Sequence, residues 1–580
     1  MEIAKIFYDI ANFLEIKGDN PFRIRSYRNA ALTIETLPQN LETIIEIDEN
    51  GLERIPGIGK GLHGKIVEIV NTGDCRFHGD ILNEIPSGLL ELLKLSGLGP
   101  KKVKLLYKEL GITDLQGLEM AVREGRLKLL PGMGEKTEEK ILQSIGNFKK
   151  YSERFKLATA LSYAEPLINY IKDIEGVDTV SPAGSLRRRK ETVGDIDILV
   201  ICWSPFLVME GLAKYREVKE IIAKGKTKLS MILRGGLQTD VRVMDKKSSG
   251  AALHYFTGSQ NHNIVIRERA KKRGLKINEY GVFREDTGER IAGKTEEEIF
   301  KSVDLIFIPP ELREDRGEIE AAEEKKLPAL LNIQDIRGDL HMHTRASDGA
   351  NTVDEMVCAA REMGYEYIAI TEHSRAVTVA HGLDEQRLVK HIEDIDRINS
   401  KLKAQDSRFR VLKGVEVDIK PDGTLDLNDN FLSKLDIVIG AVHSRFNVDK
   451  EEMTKRLNTA LSSGMIDILA HPTGRLIKER EPYPIDMENI METARKYGII
   501  MELNSYPSRL DINDIHCKMA RDMGVKVVIS TDSHSVLHLT NMRFGIFTAR
   551  RGWLTREDVL NTRSYEELKT FLEKRKNPQA

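Results

Sequence analysis

A multidomain protein of mixed α+β and α/β class is predicted from three features of the 580-residue chain. A Gly-x-Gly turn leading into a lysine-bearing helix start recurs near the N-terminus. An Asp-x-Asp pair opens an apolar run at Asp195. Beyond residue 335, short β-branched runs alternate with helical stretches, and they end on His, Glu or Asp. A chain of this length exceeds one core, so three or four domains are expected.

Composition narrows the function classes. Apolar residues make up 41% and charged residues 31%, as in a soluble globular protein. No run nears the ~18 apolar residues of a membrane span. The opening MEIAKIFYDIANFLEIKGDN is an acid-containing amphipathic pattern rather than a signal peptide. A cytoplasmic protein without a membrane partner is expected. Cys75, Cys202, Cys358 and Cys517 have no paired spacing, which favours a reducing compartment and argues against a thiolate zinc site. The net charge of −2 gives no global attraction to nucleic acid. Any such grip rests on local clusters, of which SLRRRK from Ser185 and RERAKKRGLK from Arg267 are candidates.

The helical N-terminal region comes first. IPGIGKGLHGKI from Ile55, LSGLGPKKVKLL from Leu95 and LPGMGEKTEEKI from Leu130 share one pattern. Their spacing of about 35–40 residues makes them an internal repeat. The glycines (Gly57, Gly59, Gly97, Gly99, Gly132, Gly134) permit a tight turn with bare N–H groups. The helix start that follows adds unpaired donors and partial positive charge. Lys60 and Lys101 reinforce a phosphate-sized anion site. One such turn is equally a helix cap; three with lysines point to sequence-independent binding of a DNA backbone.

In the centre, SPAGSLRRRKETVGDIDILVIC reads as a short helix or turn, a basic loop and a strand. Asp195 and Asp197 are two apart, so both face one side. LQTDVRVMD supplies Asp240 on a further alternating strand. Three carboxylates suit two hard divalent cations, which activate a hydroxyl and neutralise a leaving pyrophosphate. Gly184 and Ser185 offer donors to phosphate, and Arg188 adds charge.

In the C-terminal half, ten of the 14 histidines lie beyond residue 335. LHMHT, YIAITEHS, VLKGVEVD, IVIGAVHS, IDILAHP, IIMELN and VVISTDSH are the strand-like runs. Their alternation with helices implies a parallel barrel with its chemistry at the strands' C-terminal ends. So many strand ends bearing His, Glu or Asp predict a convergent metal cluster. EIEAAEEKKLPALLNIQD, residues 318–335, reads as a charged linker.

These residues carry two family resemblances. NPFRIRSYRNAALTIETLP with the first hairpin, GDIDIL and LHYFTGSQNHNIVIR resemble X-family (polymerase beta-like) DNA polymerases over roughly residues 1–315. The resemblance implies Asp195, Asp197 and Asp240 as catalytic ligands of two Mg²⁺ or Mn²⁺ ions. It puts Gly184, Ser185, Arg188, Tyr255, Phe256, Gly258 and Asn263 in the nucleotide pocket, and Arg267 on the minor groove. Lys65 stands where the family forms a Schiff base with deoxyribose phosphate, with Arg25 and Arg28 as DNA contacts that would lower its pKa. Gln238 departs from the arginine found two residues before the third aspartate. The C-terminal half resembles the PHP (polymerase and histidinol phosphatase) domain. That resemblance places up to three Zn²⁺, Mn²⁺ or Fe²⁺ ions on His341, His343, Asp348, His373, Glu416, His443, His471, Asp532 and His534. Glu372 stands where relatives carry Asp, and His381 is a candidate phosphate contact.

The implied order is a lyase-like helical domain (1–90), a helix-hairpin-helix region (91–150), a nucleotidyltransferase palm (151–245), a thumb (246–317), the linker (318–335) and a distorted (β/α)7-like PHP barrel (336–580). The function implied is gap filling in DNA repair, from dNTPs on gapped or nicked DNA, with hydrolysis of phosphodiesters at 3′ ends by a monomeric enzyme. The alternative is a small-molecule phosphoesterase with a vestigial polymerase.

Overall fold

The computed structural model describes residues 2–36, 44–45, 51–54, 58–72, 75–84, 86, 88–93, 95, 98–131, 133–134, 138, 141–142, 144–145, 154–405 and 407–576. Two compact units divide at residue 154. Gly57, Gly97 and Gly132 fall outside the described residues.

The first unit is helical, with Glu2–Lys17, Pro21–Thr36, Lys60–Thr72, Arg76–Glu84, Pro100–Leu110 and Leu115–Arg123 among its helices. Its apolar residues form one cluster, from Phe7 and Tyr27 through Ile66 to Leu106 and Leu118. The core therefore runs across residue 90, where the sequence suggested a boundary. The hairpin repeat has a shared design. The residue between the two glycines is a buried plug each time: Ile58, Leu98 and Met133. The glycine that follows (Gly59, Gly99, Gly134) is exposed, and a Cβ there would meet nothing within 4 Å. Burying the plug holds the turn, which leaves bare backbone at the surface.

The second unit, Phe155–Ala580, carries three sheets that bear on function. A five-stranded sheet has the order Val177–Pro182, Ile196–Cys202, Gln238–Met244, Lys228–Leu233, Val218–Lys224. Its central pair, Ile196–Cys202 and Gln238–Met244, is parallel; the other pairings are antiparallel. A three-stranded antiparallel sheet (Leu275–Asn278, Gly281–Arg284, Arg290–Ala292) packs with helices Ser249–Thr257, Gln260–Lys271 and Glu296–Ser302.

The third sheet has seven parallel strands in sequential order, from Gly338–Asp339 to Val527–Ser530. A parallel bridge between Met342 and Ser533 joins last strand to first, so the barrel is nearly closed. Period-2 alternation divides the strand residues between two cores. Tyr367 and Ala369 lie in one cluster, whereas Ile368 and Ile370 lie in another with the helical residues Met356 and Ala360. The helix carrying those two, Val353–Glu362, starts in a capping box between Thr352 and Glu355. The C-terminal helix Tyr565–Lys576 adds Leu568 and Leu572 to the Tyr367 cluster. Its Arg575 pairs with Asp467 and its Lys576 bonds the Leu435 and Asp436 carbonyls, all just before strand starts. The barrel floor is thereby capped; Leu568→Ala would cost about 2–5 kcal/mol.

The palm-like, thumb-like and barrel segments share cores. Ile477, Leu510 and Phe544 of the barrel lie in the core of the five-stranded sheet, and Trp553 lies in that of the three-stranded sheet. Residues 318–335, read from the sequence as a linker of helix and loop, include the helix Glu318–Glu323, whose buried Ile319 and Ala322 share a core with Trp553.

Candidate functional sites

The first site forms where the two parallel strands of the five-stranded sheet begin. Asp197 and Asp240 are direct Cα partners across that pair. Asp195 sits in the bend just before its strand. The carboxylates are close enough to repel. Burial, then the charges of Asp195 and Asp240, push the Asp197 carboxyl up to about 7. Gly184 is required beside it. Its φ is +56°, and a Cβ would lie 2.3 Å from Asp197 Oδ2. Gly184 opens the short turn Gly184–Arg187, which carries Ser185 and leads into the basic loop.

A cation reaches the third carboxylate from a neighbouring strand. Lys228 Nζ lies 2.8 Å from Asp240 Oδ2, while the buried Asp240 Oδ1 has no hydrogen-bond partner. Neighbouring carboxylates with one orphaned oxygen have the donor chemistry of a divalent-cation site.

The residues expected in the nucleotide pocket adjoin one another. Tyr255 is partly exposed and packs edge-on against Phe256 at 5.1 Å between centroids. Arg242 lies over the Phe256 ring at 4.5 Å. Asn263 Nδ2 donates to the Tyr255 carbonyl (2.8 Å), and the Asn263 backbone carbonyl accepts from Arg267 Nε (3.1 Å). Gly258 has φ +70°, and a Cβ there would lie 3.0 Å from Arg188 NH1. Arg188 donates Nε–H to Glu314 (2.9 Å) and NH1 to the Thr257 carbonyl, so it ties the basic loop to the end of the helix that carries Tyr255 and Phe256.

In the first unit, Lys60, Lys101, Arg25 and Arg28 are exposed. Lys65 Nζ lies 5.3 Å from the Phe77 ring centroid and reaches the Gly61 carbonyl. The cation sharing that ring is Arg23, at 4.9 Å, while Arg28 pairs with Glu15.

The second site is at the C-terminal ends of the barrel strands. Glu416 is at its centre and fully buried. His471 Nε2 lies 3.0 Å and His443 Nε2 3.4 Å from Oε1. His373 Nδ1 (2.6 Å), His341 Nε2 (3.6 Å) and His343 Nε2 (3.7 Å) approach Oε2. Asp532 Oδ1 is 3.3 Å from His343 Nε2, and Asp348 lies near His373 and His534. All nine predicted residues thus converge. Three subsets lie within ligand distance: His341, His343 and Asp532; His373, Glu416 and His443; His343, Asp348, His373 and His534. Glu416 is buried with imidazole nitrogens around both of its oxygens. A buried carboxylate ringed by imidazoles fits metal ligation. His471 and Asp532 have positive φ, 28° and 51°, a region that side-chain-bearing residues rarely adopt.

Electrostatics divides the histidines. Burial opposes protonation of His341, but Glu502, Asp532 and Glu416 raise its pKa well above the ordinary value. The same opposition resolves upwards at His443, chiefly through Glu416, and at His534, through Asp348, each to about 9. Burial and the neighbouring His373 lower His343 to about 3.

Some supporting residues escaped the sequence reading. Glu502 accepts from His341 Nδ1 (2.7 Å) and from the His471 N–H (2.7 Å). Asp418 accepts from His443 Nδ1 (3.1 Å). Asn504 donates to Asp532 (3.1 Å), and Arg509 Nε is 3.7 Å from it. Glu502 and Asp418 were visible as acids ending the apolar runs IIMELN and VLKGVEVD. Glu372 is turned from the cluster and accepts from Thr344 and Ser347. His381 is exposed on a left-handed turn.

Comparison with known proteins follows this division. Family models match a helix-hairpin-helix domain over residues 1–75, a SAM-like helix-hairpin-helix tandem over 89–147, a DNA polymerase beta thumb over 252–314 and a PHP domain over 339–506. Across 575 residues and 99% of both chains, the sequence is 41% identical to the DNA polymerase/3'-5' exonuclease PolX of Bacillus subtilis (strain 168). Over 253 residues, 41% of this chain, it is 30% identical to a probable phosphatase of Thermoanaerobacter sp. (strain X514), covering 95% of that protein. A probable phosphatase of Shewanella sediminis is 29% identical over 251 residues, 41% of this chain and 94% of its own.

Proposed function

Because the chain belongs to the family of DNA polymerase/3'-5' exonucleases of PolX type, we propose that it fills short gaps during DNA repair and trims the 3′ ends it extends. The pairing of Asp197 with Asp240 beside Asp195 supports the synthetic site. The convergence of histidines on Glu416 supports the hydrolytic one. The polymerase-like carboxylates disfavour a free-standing phosphoesterase, which needs no second acidic cluster.

At the synthetic site, Asp195, Asp197 and Asp240 hold two Mg²⁺ or Mn²⁺ ions. Gly184 leaves room at Asp197, and Ser185 faces the triphosphate from the same turn. Tyr255 and Phe256 line the sugar side of the pocket and disfavour a ribose hydroxyl. Asn263, fixed by the Tyr255 carbonyl, presents an amide oxygen that is buried and unpartnered to the incoming nucleotide. The exposed backbone at Gly59, Gly99 and Gly134, with Lys60 and Lys101, grips the phosphates of gapped or nicked DNA.

At the barrel site the nine side chains hold up to three Zn²⁺, Mn²⁺ or Fe²⁺ ions. Glu502 and Asp418 take the Nδ1–H of His341 and His443, which leaves each Nε2 lone pair aimed at the cluster. Bound cations supply acidified water and charge neutralisation at phosphorus in the barrel, and neutralise the triphosphate in the synthetic site. The two sites do opposing chemistry on one terminus. No disulfide links Cys75, Cys202, Cys358 or Cys517, which suits a reducing cytoplasm where chromosomal DNA resides. No helix among the described residues is long and apolar enough to cross a membrane.

The test is end-labelled gapped DNA with dNTPs and Mn²⁺, comparing Asp197→Ala with Glu416→Ala. The first variant should lose extension and the second trimming. Extension by Asp197→Ala would refute the synthetic assignment.

A further inference from the structure

The basic loop that borders the synthetic site is held from behind by the barrel. Arg551, the last residue of helix Met542–Arg551, donates NH1 to the Arg188 carbonyl (2.8 Å) and to Glu314 Oε1 (3.0 Å). Its NH2 donates to Asp514 Oδ2 (2.8 Å), which also accepts from Arg316 (3.0 Å). Arg188 then donates to Glu314 and to the Thr257 carbonyl, and its NH1 takes up the space that a Cβ at Gly258 would need, 3.0 Å away. Three parts of the chain therefore meet on one side chain: the loop after Gly184, the end of the thumb-like segment and the barrel. Neighbouring loop residues follow suit. Arg189 lies over Phe547 of the same barrel helix, at 4.3 Å, and Glu191 accepts from Arg475 (2.7 Å).

This junction is buried, not a solvated crossing of charges. The Arg551 side chain is 4% exposed and that of Glu314 10%. Burial opposes ionisation of Glu314, yet Arg551 and Arg188 hold its carboxyl below the ordinary range. Ion pairs at a surface contribute ~0–1 kcal/mol. Breaking a buried one strands a charge and costs several-fold more, so this network fixes geometry.

We propose that Arg551 of the hydrolytic barrel is a positioning residue for nucleotidyl transfer: through Arg188 and Glu314 it sets the Thr257–Gly258 wall of the nucleotide pocket. The proposal rests on the reading of Arg188 and Tyr255–Gly258 as that pocket. The barrel is then a structural part of the polymerase, and the active sites share a scaffold as well as a substrate.

The experiment uses the full-length chain. Arg551→Lys keeps the charge but cannot span carbonyl and two carboxylates as the planar fork does. Arg188→Ala tests the pocket reading directly, and the double variant tests their coupling. Gap-filling kinetics with each dNTP, 3′ trimming and thermal unfolding are recorded for all. Arg551→Lys should raise the dNTP KM about tenfold with kcat within about threefold, the signature of lost ground-state binding. Its trimming rate should stay within about twofold of wild type, and the double variant should bind dNTP no worse than Arg188→Ala alone. If Arg188→Ala raises KM and Arg551→Lys leaves it unchanged, or if the two effects multiply, the positioning role is overturned and the pocket reading stands. If neither changes KM, the pocket reading fails and the proposal fails with it. Parallel loss of trimming and synthesis in Arg551→Lys would signify general destabilisation and likewise overturn it. Should Arg551→Lys not fold, Glu314→Gln, which keeps the acceptor and removes the charge, is read by the same KM criterion.

Discussion

Asp197 and Asp240 stand directly opposite each other on adjacent parallel strands, and Lys228 lies 2.8 Å from the second of them. Parallel register places both side chains on one face, so two carboxylates share a site that neither strand forms alone. Removing Asp195 and Asp197 together should therefore cut gap filling by more than about 1,000-fold, since charge neutralisation there is worth several kcal/mol. Trimming of 3′ ends should persist. Primer extension and exonuclease assays on the double Ala variant check this; retained dNTP incorporation would remove the polymerase assignment from these residues.

Glu416 contacts five imidazoles, so its loss should be at least as damaging as loss of any one histidine. Glu416→Ala should lower bound metal and abolish trimming, while gap filling continues. Elemental analysis alongside both activities decides it. Full metal content with full nuclease activity would place hydrolysis elsewhere.

Glu502 does not head any of the ligand subsets, yet it fixes His341 and the His471 backbone. Glu502→Gln keeps the shape and weakens the acceptor, so metal affinity should drop by roughly 10–100-fold. Titration of the metal-free protein with Zn²⁺ or Mn²⁺ measures it. Unchanged affinity would show that the contact is incidental.

Lys65 shares Phe77 with Arg23 in a half-exposed setting. If Lys65 is the Schiff-base amine, Lys65→Ala should abolish borohydride trapping of the protein on an incised abasic site. Undiminished trapping would assign the chemistry to another amine.

Buried Glu318 accepts from His262 Nδ1 at 2.8 Å, and burial raises its carboxyl to about 7. A folded-state pKa above the unfolded one means stability present at low pH and lost as pH rises from about 4.5 through 7. The size is up to about 3 kcal/mol by linkage. Between pH 5 and 8 the thermal midpoint of Glu318→Gln should fall less than that of the wild type. Equal falls would show that Glu318 does not titrate in this window.

Much of both sites was legible in the chain because ligands local to a strand end stay together in sequence. His341 and His343 flank one residue, as do Asp195 and Asp197 and Asp532 and His534, and periodicity alone aims such pairs. The repeated hairpins were legible for the same reason, although the burial of Ile58, Leu98 and Met133 was not stated by any motif. Long-range contacts decided the rest. Glu502 lies 161 residues from the histidine it orients, Lys228 reaches Asp240 only through antiparallel pairing, and Arg551 meets Arg188 across 363 residues. Residues 318–335 look like a tether because their charge is visible and the Trp553 surface they cover is not. Local pattern encodes which side chains point together along one element. Which elements meet, and therefore whether a basic loop is free or held by a distant arginine, is settled only when burial brings the cores of the barrel and the five-stranded sheet into one.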